Sequence, residues 1–282
     1  MRIIYKPTVT LVSKSQLWIG EEIDKFTGDD KAEQGESWLE DNIGSLDAIP
    51  EFAGRVCYHS FQKRRPGSNQ KYIEHILKEG HGSVLEHSYV TFLITGVSRS
   101  LTHELIRHRA GTAFSELSQR FYEPDSDAIG FVMPPLAIGN SQLETEMEAS
   151  FRAAADRYLT LSSFCIPVAS KYVANSQHYK TPQKHGTMTV KRAREAARAV
   201  LPNATETHIV MSGNLRAWRN VIEQRGSLMA DAEIRRLAAC LAENLCKHAP
   251  NVFQDTNFTE RLSDELYGPF DHPQVDTIYR KV

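Results

Sequence analysis

A chain of 282 residues with 41% apolar residues can bury a substantial core, and its formal net charge of −2 argues against a nucleic-acid-binding protein, which is normally distinctly basic. The four cysteines include no Cys-x-x-Cys pair, which excludes zinc-ribbon and thioredoxin-like proteins and favours a reduced, cytoplasmic setting. No apolar run approaches the roughly 20 residues that cross a bilayer and the first residues lack an apolar signal core, so no membrane association is expected.

The N-terminal part mixes strand and helix signals around an acidic segment. Strand formers dominate residues 2–13, and Pro7 places that strand at an edge or a break. Residues 20–48 are rich in Gly, Asp and Glu, which indicates an elaborated surface segment with short helical pieces. Apolar periodicity then predicts one helix near Ile49–Phe61 and another over Asn69–Lys78.

The middle of the chain carries a strand, a helix and a loop in succession. Within Val84–Thr95, residues 89–95 are rich in β-branched and aromatic residues and predict a strand. Ser98 or Ser100 can cap a helix that runs through His108. Ala110–Glu116 contains a glycine and is interpreted as a loop.

The C-terminal half is mainly helical. One long helix is predicted over residues 141–176, with Pro167 as the point where it would break. Thr207–Val210 is a short apolar run of ambiguous type, and residues 250–282 are interpreted as a C-terminal extension. Further helices are predicted over residues 189–200, 213–225 and 231–248. Strands mixed with longer helices, without regular alternation, predict an α+β fold.

The most informative feature is Arg107-His108-Arg109, followed after eight residues by Ser118 and then by Gln119-Arg120. Guanidinium groups stay charged and bind phosphate bidentately, and the segment 115–120 adds hydroxyls, backbone donors and one carboxylate. Such a set can hold a phosphorylated ligand together with a planar heterocycle. The alternatives are a cationic helix end that complements the helix dipole and a helix start capped by Ser115.

Two near-matches to zinc motifs fail at a ligand position. The run from His103 to Arg107 has arginine where the second histidine of His-Glu-x-x-His is needed, and the run from Ser83 to His87 begins with serine instead of histidine. A zinc site needs several converging protein ligands, so no metal is predicted. The cysteines, which lie in apolar or helical stretches, are interpreted as inert thiols and not as nucleophiles: Cys165, Cys240 and Cys246.

Together with four other blocks, the Arg-His-Arg cluster resembles the flavin-dependent thymidylate synthases, whose signature is Arg-His-Arg followed after seven or eight residues by Ser. The matching blocks, in chain order, are 52–58, 80–87, 199–202 and 213–219, the last continuing through Arg225 to residues 233–235. The resemblance covers the chain from about Glu51 to Ala249. It implies a single domain over residues 1–282 with a central mixed or antiparallel sheet and flanking helices. It also implies a homotetramer with its sites at subunit interfaces.

The resemblance further implies a reaction. FAD is reduced by NADPH, methylenetetrahydrofolate supplies one carbon, and C5 of a uridine 5′-monophosphate is methylated, dUMP giving dTMP. The family uses no cysteine nucleophile, so the protein contributes orientation and electrostatics.

The resemblance implies a role for each matched residue. Arg225 would be catalytic, because a fixed cation beside N3 and O4 favours the N3-deprotonated uracil. Taken alone, it would be only a helix C-terminal cation before Gly226. The implied FAD-binding residues are Ser83, Arg107, His108, Arg109, Glu116, Asn214, Leu215, Arg216 and Asn220. The implied nucleotide-binding residues are Glu104, Leu105, Ile106, Arg107, Glu116, Leu117, Ser118, Gln119, Arg120, Arg198 and Arg225.

Three positions depart from the family pattern. The loop 110–116 has one residue more than the commoner spacing, Phe121 (followed by Tyr122) stands where many members have Tyr, and Met229 stands where they commonly have His. A longer loop could make room for a 2′-hydroxyl, so methylation of UMP stays open as an alternative to dUMP. A second alternative is an NADPH-oxidising flavoprotein without methyl transfer.

Overall fold

The central sheet has four strands and is antiparallel throughout. The computed structural model describes residues 1–28, 38–39, 42–61, 68–121, 129–176, 178–179, 181–259 and 274–279, without the side chains of residues 258, 259, 274 and 276. In spatial order the strands are β2 (Thr8–Lys14), β3 (Tyr89–Ser98), β6 (Glu206–Asn214) and β4 (Thr112–Glu116). The sheet confirms the expected antiparallel arrangement.

Alternating burial explains why these segments form strands. In β3, Val90, Phe92 and Ile94 have no exposed surface, and the residues between them are half-buried. In β6, Ile209 and Met211 are equally buried and lie opposite Ile94 and Phe92. Period-two alternation places one face of the sheet against a core and leaves the other face partly open.

Helices cover the buried face of the sheet. Trp218 packs edge-on against Phe92 at a ring-centroid distance of 5.3 Å, and its indole Nε1 donates to the carbonyl of Val90 at 3.2 Å. The α-helices of the described residues are α1 (Glu21–Thr27), α2 (Ser45–Tyr58), α3 (Asn69–Lys78), α4 (Arg99–Leu105), α5 (Ser141–Ala174), α6 (Pro182–Ala197), α7 (Leu215–Arg225) and α8 (Ala232–His248). The 3₁₀ helices span Gly82–His87, Pro135–Ala137 and Arg198–Val200. None of the described helices is long and apolar enough to cross a membrane.

A smaller sheet forms a second layer at the N-terminus. The predicted strand 2–13 is divided at Pro7, which confirms the break. Its first part, β1 (Arg2–Ile4), pairs in parallel with β5 (Gly130–Val132). Behind this pair, the rings of Phe131 and Phe151 are stacked at 4.9 Å, which attaches α5 to the small sheet.

One predicted strand is confirmed and one strand was missed. The run 89–95 lies in β3, which begins at Tyr89, and Val84 and Leu85 before it are buried in the 3₁₀ helix. The segment 110–116 is not a loop, because its residues from Thr112 onward form β4 and pair with β6. The ambiguous run Thr207–Val210 is the strand that β4 pairs with. Strand pairing depends on distant partners, and local composition does not report it.

Among the described residues, α2 and α5 each have a proline in the helix interior. α2 begins at Ser45, earlier than predicted, and contains Pro50, which cannot donate to the carbonyl of Leu46. Ser88 replaces that donor, since its buried hydroxyl donates to the Leu46 carbonyl at 3.1 Å. α5 runs unbroken through Pro167, so the predicted break there was wrong.

The two peripheral segments are packed where they are described. In the segment 20–48, α1 is one of the expected short helical pieces, and Trp38 is buried against Phe52 and Phe61. Residues 29–37, 40 and 41 of this segment lie outside the described residues. In the extension 250–282, β7 (Thr256–Thr259) and β8 (Gln274–Thr277) form an antiparallel hairpin. Residues 260–273 and 280–282 lie outside the described residues.

Candidate active site

The Arg-His-Arg run lies in a turn just after a short helix. Ser98 caps α4, its Oγ accepting from the backbone N–H of Leu101 at 3.1 Å, which confirms one of the two predicted caps. The helix ends at Leu105, so its predicted extension through His108 was wrong. The backbone N–H groups of Arg107 and His108 bond three residues back, to Glu104 and Leu105, which tightens the chain into a 3₁₀-type turn.

The turn separates the three side chains of the run. Arg107 and Arg109 are exposed, whereas His108 is only 7% exposed. The hydroxyl of Thr112 donates to the His108 carbonyl, which fixes the backbone of the turn to the first residue of β4. Two cations therefore face solvent while the imidazole faces inward.

His108 meets Arg225, which is the last residue of α7. Arg225 Nε donates to His108 Nε2 at 2.8 Å, and its Nη1 and Nη2 donate to the carboxylate and carbonyl of Glu104 at 2.9 and 3.1 Å. Glu104, His108 and Arg225 are called the Arg225 cluster below. The side chain of Arg225 is 19% exposed, so the guanidinium is held in one orientation at the edge of solvent.

Burial and charge set the protonation of the cluster. Burial, with a further contribution from the positive charge of Arg225, lowers the pKa of His108 to about 4, so the ring is neutral at pH 7. Since Nε2 accepts from Arg225, the ring proton resides on Nδ1. The side-chain nitrogen of Asn220 lies 3.4 Å from Nδ1, and because both atoms are then donors this is a contact and not a hydrogen bond. Burial raises the pKa of Glu104, the nearby carboxylate of Asp231 adds to that rise, and Arg225 opposes it.

The N-terminus of α7 adjoins the turn after the Arg-His-Arg run. Asn214 caps the helix through its Oδ1, which accepts from the Ala217 N–H at 2.8 Å, and its own N–H donates to the carbonyl of Gly111 at 3.0 Å. Gly111 has φ +70, and a Cβ there would clash with the side-chain amide of Asn214. Only glycine therefore lets the turn approach the helix start this closely.

The other FAD-binding residues predicted near this helix start fall into two groups. Arg216 is half-buried and donates to Glu86 of the Gly82–His87 3₁₀ helix at 2.6 Å, and Ser83 is exposed on the same 3₁₀ helix. Leu215 has a fully buried side chain, as does Leu105 of the nucleotide set. These two leucines can reach a ligand only through their backbone atoms, and their side chains anchor α7 and α4.

The predicted nucleotide strip begins at the end of β4. Glu116 Oε1 accepts from the hydroxyl of Thr102 at 2.8 Å and lies 3.3 Å from Arg99 Nη1. Beyond it, the Phe121 N–H donates to the Ser118 carbonyl at 3.1 Å, which closes a turn around Gln119.

The cations of the strip are positioned by α6. Arg120 is ion-paired with Glu195 at 2.6 Å, and Arg198 is half-buried at the start of the 3₁₀ helix that follows α6. The helix itself begins at Pro182 and ends at Ala197, earlier at both ends than the predicted 189–200. Tyr122 lies outside the described residues.

The structure thus brings some predicted residues together and leaves others apart. Glu104, His108, Asn220 and Arg225 form one contact network, although α4 and the turn after it lie far in sequence from α7. Met229 is 94% exposed on the turn after α7, and it has no described contact with that network. The supporting residues that sequence reasoning missed are Glu86, Thr102, Gly111, Glu195 and Asp231, none of which carries a local sequence signal.

Known proteins resemble this chain over most of its length. A family model described as thymidylate synthase complementing protein matches residues 39–251. A flavin-dependent thymidylate synthase of Mycobacterium sp. (strain JLS) is 48% identical over 221 residues, which cover 77% of this chain and 82% of the relative. One of Mycobacterium leprae (strain Br4923) is 44% identical over 225 residues, which cover 79% and 84%.

A solved structure has a similar fold. The crystal structure of the UMP/dUMP methylase PolB from Streptomyces cacaoi, bound with 5-Br dUMP, matches with a TM-score of 0.58 and 18% sequence identity. The match covers 90% of this chain and 96% of that one. At this identity the likeness concerns the fold alone.

Proposed function

This chain belongs to the family of flavin-dependent thymidylate synthases, and on that basis we propose that it methylates C5 of dUMP to give dTMP. In this proposal methylenetetrahydrofolate donates the carbon, NADPH is the reductant and FAD is the bound cofactor.

The geometry of Arg225 is the observation that carries the proposal. Three of its five N–H groups bond to His108 and Glu104, and no other described residue claims the remaining two. The two remaining N–H groups, one on each terminal nitrogen, suit the N3–O4 edge of a uracil ring. A cation held in place beforehand stabilises negative charge on that ring without reorganisation during the reaction.

Glu104 and the neutral imidazole of His108 orient the Arg225 guanidinium. Because the pKa of His108 is lowered to about 4, its Nε2 remains an acceptor at neutral pH and orients the Arg225 Nε–H. Glu104 fixes the other end of the fork through both its carboxylate and its carbonyl. These contacts fix the orientation of the Arg225 guanidinium, and in that orientation it can stabilise negative charge on the uracil ring.

The residues around the N-terminus of α7 fit an FAD molecule. Arg107 and Arg109 are exposed, and neither is ion-paired with a described carboxylate, so they are available to a pyrophosphate. The turn that carries them contacts the cap of α7, where backbone N–H groups and the helix dipole also favour an anion. The residues that would hold FAD are Ser83, Arg107, His108, Arg109, Glu116, Asn214, Leu215, Arg216 and Asn220. FAD would supply the hydride that completes the methyl group.

The strip after β4 would hold the nucleotide phosphate. Ser118 and Gln119 lie in a turn that presents a hydroxyl and backbone donors, and Arg120 is oriented by Glu195. Arg198 would add a second guanidinium. We assign Ser118 the role of a phosphate donor and not of a covalent nucleophile.

No cysteine is needed in this mechanism, and the thiols are poorly suited to one. Burial raises the pKa of the Cys240 and Cys246 thiols, which disfavours the reactive thiolate. Cys57 is exposed, and Cys165 lies half-buried on α5, outside the Arg225 cluster.

We place the protein in the cytoplasm as a homotetramer with its sites at subunit interfaces. The four free cysteines agree with a reduced compartment. On α5, Phe164, Val168 and Tyr172 are 69%, 69% and 65% exposed, as expected for a face that another copy covers. Light scattering of the FAD-loaded protein should give four times the chain mass, and a monomeric mass would contradict the assembly.

The substrate is tested by competition. UMP is the alternative substrate, because the segment 110–116, most of which is strand β4, has one residue more than the commoner spacing. Protein with FAD, NADPH and methylenetetrahydrofolate would receive equal dUMP and UMP, with the products identified by mass. We expect mainly dTMP. Mainly 5-methyl-UMP would make the enzyme a uridylate methylase, and NADPH oxidation without product would indicate a flavoprotein without methyl transfer.

A further inference from the structure

The C-terminal hairpin, formed by β7 and β8, is attached to α7 at two points that bracket Arg225. The first attachment is at Arg219, before the catalytic arginine, and the second is at Gly226, directly after it. The matched family region ends at residue 251, so the hairpin residues lie beyond it.

The first attachment is a buried ion pair. Arg219 Nη1 and Nη2 donate to the two carboxylate oxygens of Asp255 at 2.7 and 2.8 Å, and the side chains are 3% and 2% exposed. Arg219 also donates to the carbonyls of Val252 and Tyr279, and Asp255 accepts from the Tyr279 N–H at 3.0 Å. One guanidinium thus joins α7 to both ends of the hairpin.

The second attachment is a close backbone contact. The N–H of Val275 in β8 points at the carbonyl of Gly226 at 3.4 Å, and the side chain of Val275 is fully buried. A Cβ on Gly226 would clash with the carbonyl of Val275. Glycine at this position therefore allows β8 to lie directly against the end of α7.

Arg225 lies between these attachments and bonds on its other side to α4 and the turn after it. Its guanidinium bonds to Glu104 and His108, so the position of the C-terminal end of α7 determines the position of the guanidinium. Displacement of a catalytic group by about 1 Å can cost about 100-fold in rate. Arg219 lies within two turns before Arg225, and Gly226 follows it directly, so both attachments lie close to the catalytic arginine along the chain.

We propose that the C-terminal hairpin is a positioning element for Arg225, with Asp255 as the positioning residue that holds α7 against it. The inference rests on the proposed function, because it concerns the placement of the arginine that acts on the uracil ring. Asp255 touches no reacting atom and acts only through α7.

The test compares two isosteric substitutions in buried ion pairs. Asp255→Asn keeps the side-chain volume but turns one accepting oxygen into a donor facing Arg219 or Tyr279. Glu51→Gln is the matched control, since the Glu51–Arg55 pair is similarly buried, at 4% and 8% exposure, and lies on α2. A paired variant, Arg219→Met with Asp255→Leu, replaces the ion pair by apolar groups and so leaves neither buried charge without its partner.

Turnover is measured on the FAD-loaded full-length proteins, below the melting temperature of each. We expect Asp255→Asn to lower turnover about tenfold or more and Glu51→Gln to leave it nearly unchanged. The paired variant should melt below the wild-type temperature, because the carbonyls of Val252 and Tyr279 and the Tyr279 N–H lose their partners. Below its own melting temperature it should still be slow. In Asp255→Asn the rise of turnover with pH should move to higher pH, because a displaced Arg225 stabilises ionised N3 less well. Equal losses in Asp255→Asn and Glu51→Gln, or wild-type turnover in the paired variant, would overturn the proposal.

Amide hydrogen exchange separates this proposal from the proposed function. Exchange of residues 222–229 should accelerate in Asp255→Asn and not in Glu51→Gln, whatever reaction the protein catalyses. If the wild-type protein forms no methylated nucleotide, the proposed function fails, and exchange alone decides the hairpin's role. Unchanged exchange at residues 222–229 in Asp255→Asn would overturn it.

Discussion

Replacing Arg225 by alanine should abolish most turnover while leaving the protein folded. The substitution removes three hydrogen bonds, to His108 Nε2 at 2.8 Å and to the carboxylate and carbonyl of Glu104 at 2.9 and 3.1 Å. Loss of one preorganised donor to developing negative charge costs about 10²–10³-fold in rate, or about 3–4 kcal/mol of activation free energy. Glu104 is 30% exposed and is rehydrated, so the stability loss should be only about 1 kcal/mol.

The assay follows dTMP formation at saturating dUMP, with flavin absorbance as the measure of bound FAD. We expect FAD to remain bound, because among its predicted contacts only His108 bonds to the Arg225 guanidinium in the described residues. Arg225→Lys is the matched variant. It keeps the charge but lacks the planar fork that serves His108 and Glu104 together, so its turnover should be intermediate. Turnover of the alanine variant within about tenfold of wild type would refute the role of Arg225.

Three further predictions concern the scaffold. Ser88→Ala should lower the free energy of unfolding by about 1–3 kcal/mol in urea titrations, because the buried carbonyl of Leu46 loses its donor. The control Ser150→Ala, at an exposed position of α5, should lower it by under about 0.5 kcal/mol. Equal losses in the two variants would contradict this prediction. Gly111→Ala should lower the melting temperature more than Gly80→Ala, since both have positive φ but only the former clashes with the amide that caps α7; the reverse order would contradict it. Burial raises the pKa of Asp47 to about 6, so the stability it contributes is full below its ordinary pKa and is lost as pH rises through 6. The melting temperature of wild type relative to that of Asp47→Asn should therefore rise as pH falls from 6 towards 4. A difference in melting temperature that does not change with pH would contradict the burial argument.

Local sequence signals predicted which segments form most of the helices, some helix ends less well, and the strand partners poorly. α3 has the predicted bounds, Asn69–Lys78, and α8 begins one residue inside its prediction, because apolar periodicity and flanking residues mark both. β4 was missed because its pairing depends on β6, whose own signal was ambiguous.

The site shows the same division. Residue type and family resemblance singled out Glu104, His108 and Arg225 one by one. Their mutual contacts join residues 117 and 121 positions apart, and sequence patterns report only short separations. The contact of Gly111 with the α7 cap and the buried pair of Arg219 with Asp255 were invisible for the same physical reason.

The measurement that tests the central claim most directly is the mass of the nucleotide formed from dUMP. The wild-type protein would be incubated with FAD, NADPH and methylenetetrahydrofolate, and in parallel with each of the last two left out. The account predicts a product heavier by one CH₂ unit that requires both co-substrates. Oxidation of NADPH with no change in the mass of the nucleotide would contradict it.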